Sequence, residues 1–183
     1  MNGPQTNDED LELFHANLLD RLPNDENGLL VRPLRLSDYE KGFIQLLEQL
    51  TDVGGVTKEQ FSNRFLSMKT SGGHYVVVVE DLNKGIIVGS ATLVVEQKFI
   101  HNCALKGRVE DVVVYLPYRK QKLGKLLVET VTQLARRLRC YKLSLDCRDH
   151  LIKYYEKLGF KQEPGNANSL SVRFEPASEH SRL

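Results

Sequence analysis

The sequence predicts an α/β (α+β) fold, a mixed sheet with helices on both faces, and three patterns carry that expectation. The apolar runs Val76–Glu80 and Ile86–Glu96 flank Asn83-Lys84-Gly85, a hairpin signature. Leu123, Leu126, Leu127, Val131, Leu134 and Leu138 recur at the three-to-four spacing of a helix with one buried face. Between them Arg108–Tyr115 reads as a strand that passes through a basic turn into that helix. Strands interleaved with helices bury their apolar sides most simply as one sheet covered on both faces.

Each element has its own local signal. Residues 1–28 are rich in Asn, Asp, Glu and Gly and read as a loosely held leader. Within it Leu11, Leu13, Phe14, Leu18, Leu19 and Leu22 are spaced for a short amphipathic helix, either frayed or docked. The domain is expected over 29–176. Leu29–Leu34 is a strand stopped near Pro33, and Ser37 with Glu40 three residues later starts a helix to about Leu50. Gly54-Gly55 break the chain; Thr57 then begins a second helix with Phe61, Phe65, Leu66 and Met68 inward. After the hairpin and the Arg108 strand, the long helix spans about Lys122 to Arg139. Tyr141–Cys147 is a strand and His150–Leu158 a short helix ended by Gly159 as a left-handed cap. Phe160–Gln162 and Leu170–Phe174 are two last short strands across Pro164-Gly165-Asn166, and residues 177–183 are a disordered tail.

Composition narrows the function classes. The chain has 183 residues, enough for one domain with a core, and 25 basic against 24 acidic residues. That balance gives no global attraction for nucleic acid, and Arg136, Arg137, Arg139 and Lys142 read first as a solvated helix face. Cys103, Cys140 and Cys147 are an odd number without a CxxC pair, as in reduced thiols of a cytoplasmic protein. No apolar run approaches the length of an integral membrane segment; a peripheral place on endomembranes, through the leader, stays open. His101 has no partner at metal-ligand spacing, so no metal is expected.

The strand–turn–helix unit carries the chemistry. A helix start offers unpaired backbone N–H groups and the positive end of its dipole. With Arg119, Lys120, Lys122 and Lys125 around it, that end suits the phosphates of a nucleotide-like ligand whose reactive end lies near Glu110 and Asp111. These two acids are adjacent, so a regular strand would send them to opposite faces, and only a bulge lets both reach one substrate. Asp146 stands at the carboxyl end of its strand, where open sheets place ligands, and either binds substrate or caps the next helix. A Walker-type loop fails, because Gly124-Lys125 is followed by Leu126.

The same unit, followed by Lys153-Tyr-Tyr-Glu-Lys-Leu-Gly-Phe160, resembles the acetyl-CoA-binding core of the GNAT N-acetyltransferase superfamily. Gln49-Leu-Thr-Asp-Val-Gly54, Glu96-Gln-Lys-Phe-Ile-His101, Gly107-Arg-Val-Glu-Asp-Val-Val-Val114 and Cys140-Tyr-Lys-Leu-Ser-Leu-Asp-Cys147 are similar to the eukaryotic glucosamine 6-phosphate N-acetyltransferases within it. The similarity runs from about Leu30 to Phe174. It implies the GNAT acyl-CoA N-acyltransferase fold with a mostly antiparallel sheet, and acetyl transfer from acetyl-CoA, as co-substrate, to the amine of D-glucosamine 6-phosphate. That reaction is a step toward UDP-N-acetylglucosamine. The resemblance also implies a homodimer in which the last strand crosses over, so that Arg173 reaches the partner chain's sugar phosphate.

Residue roles follow from the resemblance. Acetyl-CoA would lie along Val112, Val113 and Val114, over the turn Arg119, Lys120, Gln121, Lys122, Leu123, Gly124 and Lys125, and against Tyr155. Thr51, Lys98, Phe99, Ile100 and His101, with Glu110, Asp111, Val112 and Asp146, would line the sugar site. Asp146 is the first candidate to hold or deprotonate the amine. Glu110 and Asp111 bind sugar hydroxyls first and move protons second, and the Val112 N–H can face the thioester oxygen. Tyr155 would protonate the leaving thiolate, with its neighbour Tyr154 the core-facing alternative. Two departures stand out: Lys122 occupies the usual middle glycine of the turn, keeping its N–H toward phosphate if its dihedrals are helical, and Leu151 replaces a common Asn. Cys147 reads as a structural thiol, with a mixed disulfide to CoA as a side hypothesis. The other readings are a GNAT enzyme for a different amine, which the cations Lys98 and Arg173 disfavour, and a CoA-binding module without turnover.

Overall fold

The computed structural model describes residues 11–19, 28–165 and 170–172. These fall into two units that divide between Leu145 and Asp146. The first holds a five-stranded sheet in the order β1 (Leu29–Pro33), β2 (His74–Asp81), β3 (Ile86–Gln97), β4 (Leu105–Val114) and β5 (Cys140–Ser144). The first four strands are antiparallel and β5 runs parallel to β4. Between β1 and β2 lie α1 (Phe43–Leu47) and α2 (Lys58–Ser71); α3 (Ile100–Cys103) is one turn between β3 and β4; α4 (Leu123–Arg137) joins β4 to β5. The sheet is mixed and flanked by helices.

The core follows from strand alternation. Val77, Val78 and Val79 are all fully buried although successive side chains point to opposite faces, so both faces of β2 are covered. On one face α4 lies with Leu127, Val128, Val131 and Leu134 inward. On the same face Gly107 makes room for side chains of the flanking strands: a Cβ there would come within 2.8 Å of Leu143 of β5 and 3.1 Å of Leu93 of β3. In α1 and α2, Phe43, Phe61 and Phe65 form a chain of ring contacts at 6.0 and 6.2 Å. The helix begins at Thr57 as expected, with the Thr57 hydroxyl and Gln60 amide capping it reciprocally; Phe61 and Phe65 are buried and Met68 partly so, but Leu66 points outward.

A charged cluster locks β1 to β2. The Arg32 guanidinium, 3 % exposed, donates to both Asp38 carboxylate oxygens at 2.7 Å and to Glu80 Oε2 at 2.9 and 2.7 Å. Lys41 Nζ reaches the other Glu80 oxygen at 2.6 Å, and Asp38 also accepts from the Arg35 N–H at 2.8 Å. These bonds correct the single helix expected from Ser37 to Leu50. Asp38 is turned inward to the guanidinium within a 3-10 turn at Leu36–Tyr39, and the chain then passes through left-handed Gly42 (φ +79°) before α1.

Three further expectations change. The described part of the leader is not an amphipathic helix: Glu12 makes a β-bridge with Arg35, one 3-10 turn covers Ala16–Leu18, and both Leu13 and Phe14 are buried. The Leu13 N–H bonds the Leu34 carbonyl, and Phe14 sets its ring edge-on to Tyr75 at 5.2 Å. Lys122 is left-handed (φ +60°), not helical, so α4 begins one residue later. In the second unit, a 3-10 turn (Asp149–Leu151) runs into α5 (Ile152–Glu156), and Gly159 has the expected positive φ of 93°. Phe160–Gln162 forms no strand, and neither does Leu170–Val172, where Leu170 is 94 % exposed with no sheet face to bury it. The rest of that last strand, including Arg173, lies outside the described residues. Among the described residues no helix is long and apolar enough to cross a membrane.

Candidate functional site

The site in the first unit is built on an interruption of β4. Ser90 pairs with Val113 and Thr92 with Glu110, so Asp111 and Val112 together face the single residue Ala91. This is the bulge that the adjacent acids required, and Asp111 takes a left-handed φ of +50° to form it. Its effect can be read from the faces. Val109 shares the α4 side with Gly107, through Leu93, while Val114 pairs with Gly89, whose missing Cβ faces Leu127 of α4. Val109 and Val114 are an odd number apart yet lie on one face, so the bulge has reversed the alternation.

Charge is concentrated at the same place. Glu110 pairs with the Arg108 guanidinium two residues back. Partial burial of the Asp111 carboxyl, and then the Glu110 charge beside it, raise its pKa above the ordinary aspartate value. Beyond the bulge the ladder to β5 is short, pairing only Leu105–Arg108 with Cys140–Ser144, so β4 and β5 part just before Glu110. An extended ligand can enter between diverging strands and bond to a strand edge.

Downstream, Leu116–Gln121 forms a 3-10 turn that delivers the chain to α4. Arg119 folds back to the Val114 carbonyl at 3.2 Å, and Lys125 pairs with Glu129 at 3.6 Å along the helix. The first amides of α4 are without intrahelical partners by the geometry of any helix start, with Lys120, Lys122 and Lys125 nearby in sequence. Left-handed backbone at Lys122 explains why a glycine suits this position: only the backbone conformation, not the absence of a side chain, is required.

The Lys98–His101 segment is strained and exposed. Phe99 is 98 % exposed, and His101, Asn102 and Cys103 all have positive φ between 52° and 58°. Three consecutive left-handed non-glycine residues cost roughly 1–2 kcal/mol each. The His101 ring lies 4.4 Å from that of Tyr141 on β5, and Lys98 pairs with Glu96. Thr51 is exposed just after α1, and two residues earlier Gln49 Oε1 accepts the Leu116 N–H at 3.0 Å. That bond ties the Thr51 loop to the start of the basic turn.

Asp146 and Tyr155 belong to the second unit. The 3-10 turn there starts from Arg148, so Asp146 does not occupy the cap position that was its alternative role. Tyr155 is half-buried between Tyr154 and Phe160 at 5.2 and 6.0 Å, whereas Tyr154 is the more exposed of the pair. Burial, then Tyr154 and Cys147, raise the Tyr155 phenol above its usual pKa. Cys147 is exposed, and desolvation followed by the charges of Asp149 and Asp146 raises its thiol. A raised thiol is a poorer nucleophile at neutral pH.

The sequence reading missed Arg108, Glu96 and Gln49. A period-two pairing of opposite charges along a strand was the available signal for Arg108 with Glu110 and for Glu96 with Lys98. Nothing local marked Gln49, whose partner is 67 residues away.

The family model described as the acetyltransferase (GNAT) family matches residues 40–160. A protein of Drosophila melanogaster named as a probable glucosamine 6-phosphate N-acetyltransferase is 56 % identical over 150 residues, covering 82 % of this chain and 68 % of that one. The glucosamine 6-phosphate N-acetyltransferase of Arabidopsis thaliana is 40 % identical over 134 residues, covering 73 % of this chain and 90 % of that protein. A crystal structure of the enzyme so named from Arabidopsis thaliana superposes with a TM-score of 0.76 at 37 % identity, covering 80 % of this chain and 99 % of that chain.

Proposed function

This chain belongs to the acetyltransferase (GNAT) family, and from that premise we propose that it transfers the acetyl group of acetyl-CoA to the amine of D-glucosamine 6-phosphate. The products are N-acetyl-D-glucosamine 6-phosphate and CoA, which supplies amino-sugar synthesis toward UDP-N-acetylglucosamine in the cytoplasm. The observation that carries this reading is the β4 bulge, which interrupts the strand at two adjacent acids and lies immediately before a basic turn and helix start.

The amine attacks the acetyl carbonyl carbon directly, in a ternary complex. Asp146 orients the amine and takes the proton it must lose. Glu110 and Asp111 hold sugar hydroxyls, while Thr51, Lys98 and His101 engage the sugar phosphate and its neighbours. As the C–N bond forms, the carbonyl oxygen becomes an oxyanion, and the Val112 N–H at the bulge stabilises it. The C–S bond then breaks, and Tyr155 gives its phenolic proton to the departing thiolate. The raised pKa keeps the Tyr155 phenol protonated in the free enzyme, although it does not make the phenol a stronger acid. Cys147 takes no part as a nucleophile. A second copy of the chain completes the sugar site, with Arg173 of each chain reaching the other's phosphate.

The test is free-thiol release from acetyl-CoA with glucosamine 6-phosphate, glucosamine and a peptide amine compared side by side. Release with the phosphorylated sugar alone is expected. Equal release with the unphosphorylated sugar or the peptide, or CoA binding without any release, would remove this function.

A further inference from the structure

A groove of about 660 Å³ opens beside the basic turn, between it and the tip of the β2–β3 hairpin, and Lys84, Lys120 and Lys122 all line it. The carboxylate in its wall, Asp81, is already engaged. Its Oδ2 accepts from the Tyr118 hydroxyl at 2.5 Å, and its Oδ1 accepts from the N–H groups of Asn83 and Lys84 at 2.9 and 3.1 Å. The Tyr118 oxygen in turn accepts from the Lys84 ammonium at 2.7 Å, and that ammonium stands 4.9 Å from the centre of the Tyr118 ring.

This relay fixes a side chain that is otherwise free to wander. An ammonium has three N–H donors, so the bond to Tyr118 leaves two for a ligand. Holding the lysine in place beforehand removes part of the entropy cost of binding. Three ammonium groups against one saturated carboxylate leave the groove positive, and the chemistry that answers clustered lysines is a phosphate monoester with its several acceptor oxygens.

We infer that this groove is a second phosphate subsite, taking the ribose 3′-phosphate of acetyl-CoA, with Lys84 as a cofactor-contacting residue supplied by the hairpin. The inference rests on the acetyl-CoA reading of the turn. Lys120 and Lys122 belong both to the groove and to the turn that takes the diphosphate, and in CoA the 3′-phosphate lies one sugar ring from that diphosphate. Lys84 sits on the opposite wall.

Titration calorimetry on the full chain tests this, with CoA and 3′-dephospho-CoA as ligands and Lys84→Met and Lys84→Arg as variants. The native protein should bind CoA about tenfold more tightly than 3′-dephospho-CoA. Lys84→Met should abolish most of that difference by weakening CoA alone, and Lys84→Arg should restore it. Equal affinity of the native protein for both nucleotides, or equal weakening of both by Lys84→Met, overturns the assignment. If inorganic phosphate, titrated in the same way, binds the native protein but not Lys84→Met while that variant keeps its full CoA affinity, the assignment is also overturned and the groove goes to a separate phosphorylated molecule. If neither nucleotide binds the native protein, the acetyl-CoA reading itself fails.

Discussion

Asp111 is strained, partly desolvated and adjacent to another acid, and each property has a measurable consequence. Glu110→Gln removes the neighbouring negative charge and should lower the Asp111 pKa, though not to the ordinary value, because burial is the larger cause. A carboxyl-carbon NMR titration that left Asp111 unmoved would refute the electrostatic account. Lys122 is also strained, and Lys122→Gly should stabilise the protein by about 1 kcal/mol, read as a higher urea midpoint with unchanged slope. The same experiment on a helical residue would show a loss. At this scale part of the site was legible: two adjacent acids could reach one substrate only through a bulge, whereas Lys122 was read with helical dihedrals that the structure does not show. The left-handed run His101–Cys103 was not legible, because none of those residues prefers such dihedrals strongly enough to announce them.

Elements are tied together by contacts that no local pattern reveals. The hairpin, α2 with its cap, and α4 could be read because turn residues, capping residues and periodicity all lie within a few positions of one another. The Arg32 cluster joins residues 6 and 48 apart, so the break it imposes between the 3-10 turn at Leu36–Tyr39 and α1 stayed hidden. Arg32→Met leaves Asp38 and Glu80 buried without their fork and should cost about 3–5 kcal/mol in urea unfolding at neutral pH. The pH dependence has a definite sign. Burial alone would raise the Glu80 carboxyl, but hydrogen bonds from Lys41 and Arg32 outweigh it and hold the pKa below the usual glutamate value. A depressed folded-state pKa contributes stability that is complete above the unfolded value of about 4.3 and is lost as pH falls through the lower folded value. The gap between native and Arg32→Met stability should therefore narrow as pH falls below about 5. A gap that stays constant there would mean that Glu80 draws no charge stabilisation from Arg32.

For the molecule as a whole, the docked segment around Leu13 and Phe14 matters more than its polar surroundings suggest. Leu13 is 4 % exposed, and Lys69 of α2 donates to the Glu12 carbonyl at 2.5 Å, so the segment bridges the end of β1 and α2. Leu13→Ala should cost about 2–4 kcal/mol, measured by thermal or urea unfolding. A loss within about 0.5 kcal/mol, typical of surface changes, would show that the segment is dispensable. The order of strands across the sheet has a consequence for how the protein is made. Spatial order and chain order coincide from β1 to β5. On a ribosome, which releases the amino end first, each strand therefore meets as its partner the one synthesised just before it. The antiparallel β2–β3–β4 meander can close through short loops while the rest is still inside the exit tunnel, and β5 alone must wait for α4 to cross over. The edge of β4 at Leu105–Arg108, which pairs with β5, is thus the last edge of the five-stranded sheet to find its partner strand during synthesis.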